Sequence, residues 1–296
     1  MSTKITSKNK AENIAKTIMF LFALVSIFTT IGIVVALFSN SITFFRMVSV
    51  REFLFNTKWT PLFAEKNYGV LPLIVGTLLI ALLASIIALP IGLFTAIYLS
   101  EYANPKAKKF LKPILELLAG IPSIVYGFFA LTFITPILKA IIPGIEVYNA
   151  LSASIAMGFM IMPMVASLSE DAMTAVPNAL RNGGYAMGLT KFEIVKGIVI
   201  PYSLSGIMAS FVLAISRAVG ETMIVALAAG AMPSLSFNPL KGVLTLTGYI
   251  AQVSKSDVSQ TSASYYALYA VGLVLFILTL SLNYVAKKII ERNKVK

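Results

Sequence analysis

Residues 214–227 read AISRAVGETMIVAL, an apolar stretch that carries Arg217 and Glu221 near its middle. Each charge at bilayer depth costs about 2.5–3.5 kcal/mol on insertion scales. The composition of the whole chain shows how to read the stretch. Of 296 residues, 58% are hydrophobic and 12% charged, where a soluble domain carries about 25% charged. Apolar runs of about 20 residues can span the hydrocarbon core as helices. They occur at 17–38, 71–99, 113–137, 150–168, 205–229 and 265–286. The expected fold is all-α, a polytopic membrane protein of about six transmembrane helices, with residues 214–227 in the fifth.

Helical geometry sorts this fifth span into two faces, since residues three and four apart lie together. Ser210, Ala214, Arg217, Glu221, Val225 and Ala228 form one stripe, mostly small or polar; Met208, Val212, Ile215, Val219 and Met223 form an apolar one. The first is expected to face protein or a water-filled path and the second lipid or other helices. Two readings of the charges stand side by side: a mutual i, i+4 pair, or part of a translocation path. Such pairs are worth about 0.2–0.5 kcal/mol and favour the acid-first order, the reverse of the order here. That is too little to offset insertion, so the path is favoured.

The chain has no Cys and no His. It therefore lacks disulfides, a thiolate metal site, a cysteine nucleophile and the usual general base. No nucleophile–base constellation is visible, and neither a cofactor nor a metal site is expected. There is also no G-x-x-x-x-G-K-[ST] loop with which to hold ATP.

Net charge is +12, and the position of the charges argues against a nucleic-acid partner. Lys4, Lys8, Lys10 and Lys16 precede the first span, and Lys106, Lys108, Lys109 and Lys112 lie between the second and third. Arg181, Lys191 and Lys196 follow the fourth, and Lys287, Lys288, Arg292, Lys294 and Lys296 end the chain. With six crossings all of these fall on one side. The other side has only Arg46, Arg51, Lys58, Lys66, Lys139, Lys241 and Lys255. The positive-inside rule then places both termini in the cytoplasm of a cell (plasma or inner) membrane. The first apolar run is too long for a signal peptide and reads as an uncleaved anchor.

Residues 1–69 are thus expected to form the anchor helix and an extracytoplasmic loop, 70–287 the transmembrane domain and 288–296 a cytoplasmic tail. The outer loop holds Phe53, Phe55, Trp59, Phe63 and Tyr68, which read as interfacial anchors or as contacts for an external partner. Glu116 reads as an interfacial ion pair with Lys112. The inside connection 169–204 exceeds the length of an ordinary connector. It reads either as a solvated amphipathic loop or, preferably, as a docking surface, with a short helix over 186–196.

This loop resembles that of permease subunits of ATP-binding-cassette importers, whose pattern is E-A-A, three residues, G, nine residues, I-x-L-P. Gly188, Ile198 and Pro201 match in place, within AMGLTKFEIVKGIVIP, while Asn182-Gly183-Gly184 stand where the family has Glu-Ala-Ala. AGIPSIVYGFFAL (119–131) and SRAVGETM (216–223) are similar to the phosphate-specific importers. Trp59-Thr60-Pro61 and YGVLPLIVGTL (68–78) resemble their PstC-type subunit more than the PstA-type sister.

The resemblance implies a type I importer permease fold. It also implies a sister permease, two ATP-binding subunits and an extracytoplasmic phosphate-binding protein as partners, with ATP hydrolysed by another chain. It makes Asn182, Gly183, Gly184, Ala186, Gly188, Ile198 and Pro201 the ATPase-docking loop. For a passing phosphate, Arg217 offers forked donors and a permanent charge, and Glu221 is placed to hold Arg217 when the path is empty. Ser123, Thr222 and Tyr126 add hydroxyls that read equally as anion contacts or as helix-packing bonds. An ion-coupled secondary transporter using Arg217 and Glu221 is the rival class, against which the loop pattern counts. A permease for sulfate or molybdate would share the loop but should lack the GIPS and RAVGET combination.

Overall fold

A computed structural model describes residues 2–292 of the chain. Lys294 and Lys296 lie outside the described residues, as do the side chains of Lys4, Lys8, Lys10 and Arg292. Among the described residues the protein is all-α, with one isolated antiparallel bridge between Trp59 and Tyr68. In chain order the helices are α1 (Ser2–Met47), α2 (Val50–Phe55), α3 (Leu71–Tyr102), α4 (Pro105–Ala119), α5 (Ser123–Ile141) and α6 (Ala150–Thr174). There follow α7 (Asn178–Ala186), α8 (Lys191–Val219), a single π-helical turn α9 (Val225–Ala229), α10 (Leu246–Ser254) and α11 (Ala263–Arg292). Six of these, α1, α3, α5, α6, α8 and α11, are long and apolar enough to cross a membrane. The crossings alternate in direction, so the lysine-bearing segments α4, α7 and the end of α11 gather on one face.

The centre of the bundle is α3 against α6. Both helices present small residues there, with Ala84, Ala88, Ala153 and Ala156 fully buried. A Cβ on Gly92 would come within 2.7 Å of Val165 Cγ1. Small side chains let two backbones approach closely, which replaces the hydrophobic driving force that lipid cannot supply. Met157, Ile161 and Val165 fill the space between them. α8 packs on α6, where Ser210 and Ser169 share a 2.7 Å hydroxyl hydrogen bond. α1 lies outside, against α11, where a Cβ on Gly272 would be 2.9 Å from Leu37 Cδ2; Leu24, Val34 and Asn40 are half-buried, while most of the residues from Glu12 to Ser39 face outward.

Four expectations change. The third crossing does not run from 113 to 137; the helix stops at Ala119, and Gly120-Ile121-Pro122 separate α4 from α5. Residues 105–119 alternate lysines with apolar residues at helical spacing, so this segment suits the interface, and only Ser123–Ile141 suits the interior. The fifth crossing begins at Lys191 and ends at Val219, short of the expected 229. The first helix extends well beyond 17–38.

The fourth change concerns the aromatic loop. Phe53 and Trp59 are buried with Phe44, Tyr68 and Tyr249, and are neither interfacial anchors nor partner contacts. Trp59 meets Tyr249 edge-on at 4.8 Å between ring centroids. The hydroxyls of Tyr68 and Tyr249 reach Ser264 Oγ and Ser264 O, and Ser264 Oγ donates to Pro61 O at 2.6 Å. These bonds fasten the loop to the start of α11 as a lid on one end of the bundle. Phe55 and Phe63 stay exposed.

Truncating Trp59→Ala should therefore cost about 3–5 kcal/mol, read as a lower thermal unfolding midpoint in detergent. Phe63→Ala, at an exposed position, should stay within about 0.5 kcal/mol of the parent.

Candidate translocation and docking sites

The stretch 214–227 is two pieces. α8 ends at Val219, Gly220 caps it, and residues 221–222 are not helical before the chain resumes at 223. The expected i, i+4 stripe through Arg217 and Glu221 is therefore interrupted. Glu221 Oε1 accepts from the N–H groups of Thr222 and Met223 at 3.1 and 2.9 Å, with Ile224 N at 3.5 Å. Its carboxylate thus satisfies donors that a new helix start leaves unpaired. Thr247 Oγ1 donates to the Glu221 carbonyl at 2.7 Å and closes the break from the α10 side.

Arg217 sits exposed in the last turn of α8. None of the ion pairs among the described residues includes it. Its expected hold by Glu221 is therefore not made, because the break turns the carboxylate toward the following N–H groups. Each charge instead complements its own helix end, the cation at a C-terminus and the anion at an N-terminus.

A second break lies beside the first. Gly127 of α5 packs on Met223 and Ile224, where an added Cβ would be 3.1 Å from Ile224 Cα. Ser123, half-buried, opens α5, and Thr222 closes the neighbouring break, with only a 3.4 Å bond from its hydroxyl to Gly220 O. Tyr126 is buried and its hydroxyl donates to Leu118 O at 2.9 Å, across the Gly120–Pro122 interruption. Of the expected site residues, Ser123, Thr222 and Arg217 border the paired breaks with free or weakly engaged groups, and Tyr126 and Glu221 fix the breaks in shape.

On the lysine-rich face, residues 177–201 form a compact helical hairpin of α7 and the start of α8. The expected short helix over 186–196 is instead divided. α7 ends in a Schellman turn, with Leu189 N on Gly184 O at 3.2 Å and Gly188 N on Tyr185 O at 3.0 Å. This turn needs the left-handed backbone that Gly188 adopts, φ +79°. Thr190 then opens α8 through a capping box with Glu193. Gly184 sits against Ile194 and Ile198, its would-be Cβ 2.9 Å from Ile194 Cγ1, whereas Gly183 faces open space. Asn182, Ala186 and Pro201 are exposed and Ile198 is half-buried. Leu180, Tyr185, Met187 and Phe192 point outward from the same hairpin, the last two 73% and 65% exposed.

Two charged groups were not singled out from the sequence for the partners they have. Glu170, 1% exposed at the end of α6, accepts from Lys108 Nζ and from Lys112 Nζ, the latter at 2.7 Å. Lys112 also reaches Asp171 at 3.0 Å, and so is not paired with Glu116 as expected. Hydrogen bonds to Glu170 first and Asp171 second push the Lys112 ammonium up to about 12. Arg181 of α7 pairs with Glu101 at the end of α3. The available signal was the scarcity of acids, with only 12 in the chain, several at helix ends facing lysine-rich loops.

A bundle of six apolar crossings, with helix ends at 119 and 219 leading into the α5 and α9 segments that pack together, and a helical hairpin offered on the basic face, defines a membrane permease. Residues 88–295 match the model of the binding-protein-dependent transport system inner membrane component family, and the chain belongs to that family. It is 34% identical to the probable ABC transporter permease YqgH of Bacillus subtilis over 84% of this chain and 80% of that one. It is also 34% identical to the phosphate transport system permease PstC of Xylella fastidiosa, over 81% and 79% of the two chains. The fold matches a subunit of the MetNI methionine ABC transporter in an inward-facing conformation, with TM-score 0.57 and 20% identity, over 76% of this chain and 94% of that one. It likewise matches a bacterial alginate ABC transporter, with TM-score 0.61 and 14% identity, over 93% and 95%. The protein is thus a multi-pass inner-membrane permease subunit with the type I importer fold.

Gly183 and Gly188 of the hairpin should respond in opposite senses. Gly183→Ala meets nothing and should stabilise by about 1 kcal/mol through helix propensity. Gly188→Ala should destabilise by about 1–2 kcal/mol because it must hold a left-handed backbone. Thermal unfolding of the two purified variants in one detergent checks both signs.

Proposed function

We propose that this chain is the PstC-type permease subunit of an ATP-driven phosphate importer. In this reading it forms the translocation path with a PstA-type sister permease. Of two ATP-binding subunits, one docks on the 177–201 hairpin of this chain and the other on the sister permease, and an extracytoplasmic phosphate-binding protein delivers the anion. Both termini and the lysine-rich face are cytoplasmic, in line with the positive-inside rule. ATP is hydrolysed on the partner subunits.

One observation carries the reading. An exposed guanidinium stands at a broken crossing, while the nearest acid in sequence is engaged in a cap. Phosphate offers several acceptor oxygens to which a planar fork of donors is matched. The positive charge attracts the anion; Thr222 follows five residues on, across the break, with a weakly engaged hydroxyl, and Ser123 opens α5. Glu221, four residues on in sequence, places an acid next to the break that weakens anion binding enough for release, since a transit site must not bind tightly. The exposed Leu180, Tyr185, Met187 and Phe192 supply the apolar part of the ATPase contact, and Asn182, Gly183, Ala186 and Gly188 lie among them. Phosphate as the cargo is also what the relatives named for phosphate transport support.

The test is uptake into proteoliposomes holding the chain with its sister permease, ATPase subunits and binding protein. Phosphate should enter only with ATP, and excess sulfate or molybdate should not compete. Uptake without ATP, or equal inhibition by sulfate, would sink the proposal. Arg217→Ala should lower uptake about 100-fold, the loss of two charge-assisted hydrogen bonds. Arg217→Lys, with charge but no fork, should lose about 10-fold. Both variants should still co-purify with the full complex.

A further inference from the structure

Charged contacts on the lysine-rich face converge on the last turn of α6 and the short segment leaving it. Arg181 reaches back from the middle of α7 with both arms. Its Nη2 donates to Glu101 Oε1 at 2.9 Å and to Met173 O at 2.8 Å, and its Nη1 donates to Val176 O. The pair is shielded, with side-chain exposure of 15% for Arg181 and 8% for Glu101. In the same turn Glu170 holds Lys108, Lys112 and Thr174.

The geometry forms a chain of contacts. One guanidinium fixes α7 to the end of α3 and to the end of α6 at once. The same end of α6 fixes α4 through two lysines. α4 in turn leads directly through the Gly120–Pro122 break into α5, whose Gly127 packs on Met223 and Ile224 just ahead of α9. A surface ion pair slides or exchanges with water at little cost. Shielded charges that lose their partners are strongly destabilised, so these elements resist separate movement. Arg181 faces inward, away from the exposed Met187 and Phe192.

We infer that Arg181, gripping Glu101 and the α6 carbonyls, is a mechanical clamp that carries displacement of α7 into α3, α6 and α4 and so to the broken crossings. The inference rests on the reading of the 177–201 hairpin as the ATPase-docking surface. Arg181 is a positioning residue in this scheme, since it touches neither the transported anion nor the exposed docking side chains. A brace that merely stabilised the hairpin would affect assembly and ATP hydrolysis together. A clamp sets how much transport follows from each hydrolysis.

The measurement is therefore phosphate uptake per ATP hydrolysed, in proteoliposomes of the full complex, for Arg181→Gln and Glu101→Gln. Arg181→Gln should leave an assembled complex that hydrolyses ATP but moves about 10-fold less phosphate per ATP. Glu101→Gln keeps both carbonyl bonds of Arg181 and should lower the ratio less, in the same direction. It decides the matter alone if Arg181→Gln fails to assemble. A wild-type ratio in the assembled variants, or uptake and hydrolysis falling in parallel, overturns the clamp. If the wild-type permease does not bind the ATPase subunits, or moves no phosphate with ATP, the docking or cargo reading fails instead, and the clamp is not the cause.

Discussion

A helix cannot stop inside a bilayer unless its end groups find partners within the protein, because no water is there to take them. This chain stops the crossing α8 at Val219 and the interfacial helix α4 at Ala119, and both stops are closed locally. At 220–222 the Glu221 carboxylate takes the N–H groups of the next segment, and Thr247 covers the Glu221 carbonyl. At 120–122 the Tyr126 hydroxyl covers Leu118 O, and Gly120 N bonds to Glu116 O. Local closure lets the broken segments border a path, since their backbones do not depend on neighbours that move. It also sets the order of the two charges. A cation before the stop and an anion after it each match the helix end they occupy, an order that a continuous helix would disfavour.

Around these breaks the protein is built in two textures. α3 and α6 meet through small side chains at distances that leave no room for adjustment, and they serve as the frame. The elements packed around it carry irregularities. α5 contains a π-helical turn at Ala130–Ile134, α8 one at Val195–Val199, and α9 is itself one. Such turns shift the helical register by one residue and are common where function needs a helix to re-aim its side chains. A further π turn, Tyr98–Tyr102, ends α3 and holds Glu101 in reach of Arg181. The frame is thus tied to the basic face by charge and to the broken crossings by close packing.

Much of this was legible because lipid makes strong demands on sequence. Apolar runs located six crossings, lysine-rich loops sorted them into two sides, and the spacing of Gly188, Ile198 and Pro201 located the hairpin. The misreadings share one cause. A hydropathy window averages over a Gly220 or a Pro122, and Pro and Gly are tolerated in membrane helices, so 214–227 and 113–137 each looked continuous. The lysines of 105–119 were the correcting signal, since they alternate with apolar residues in a pattern that suits an interface. What stayed hidden depends on distance. Trp59 is buried by Tyr249, and Tyr68 is bonded to a serine 196 residues away. Glu101 finds Arg181 across 80 residues. Nothing local announces such partners, and an exposed-looking aromatic or acid reads as surface until the fold supplies them.

The use of acids sharpens the reading of Arg217. Glu101 and Glu170 hold cations, Glu146 accepts from Gly242 N at 2.9 Å, Glu193 completes a capping box, and Glu221 caps a break. Each of these carboxylates is engaged by a cation or by a backbone N–H within the chain. Arg217 belongs to a crossing and has no carboxylate among its described partners, and a cation in that setting needs a counter-charge or water. The fold satisfies its buried charges from within the chain and leaves this exposed one open beside the end of its helix. A mobile anion meets that need without fixing the arginine in place, which is the physical basis for the proposed phosphate contact.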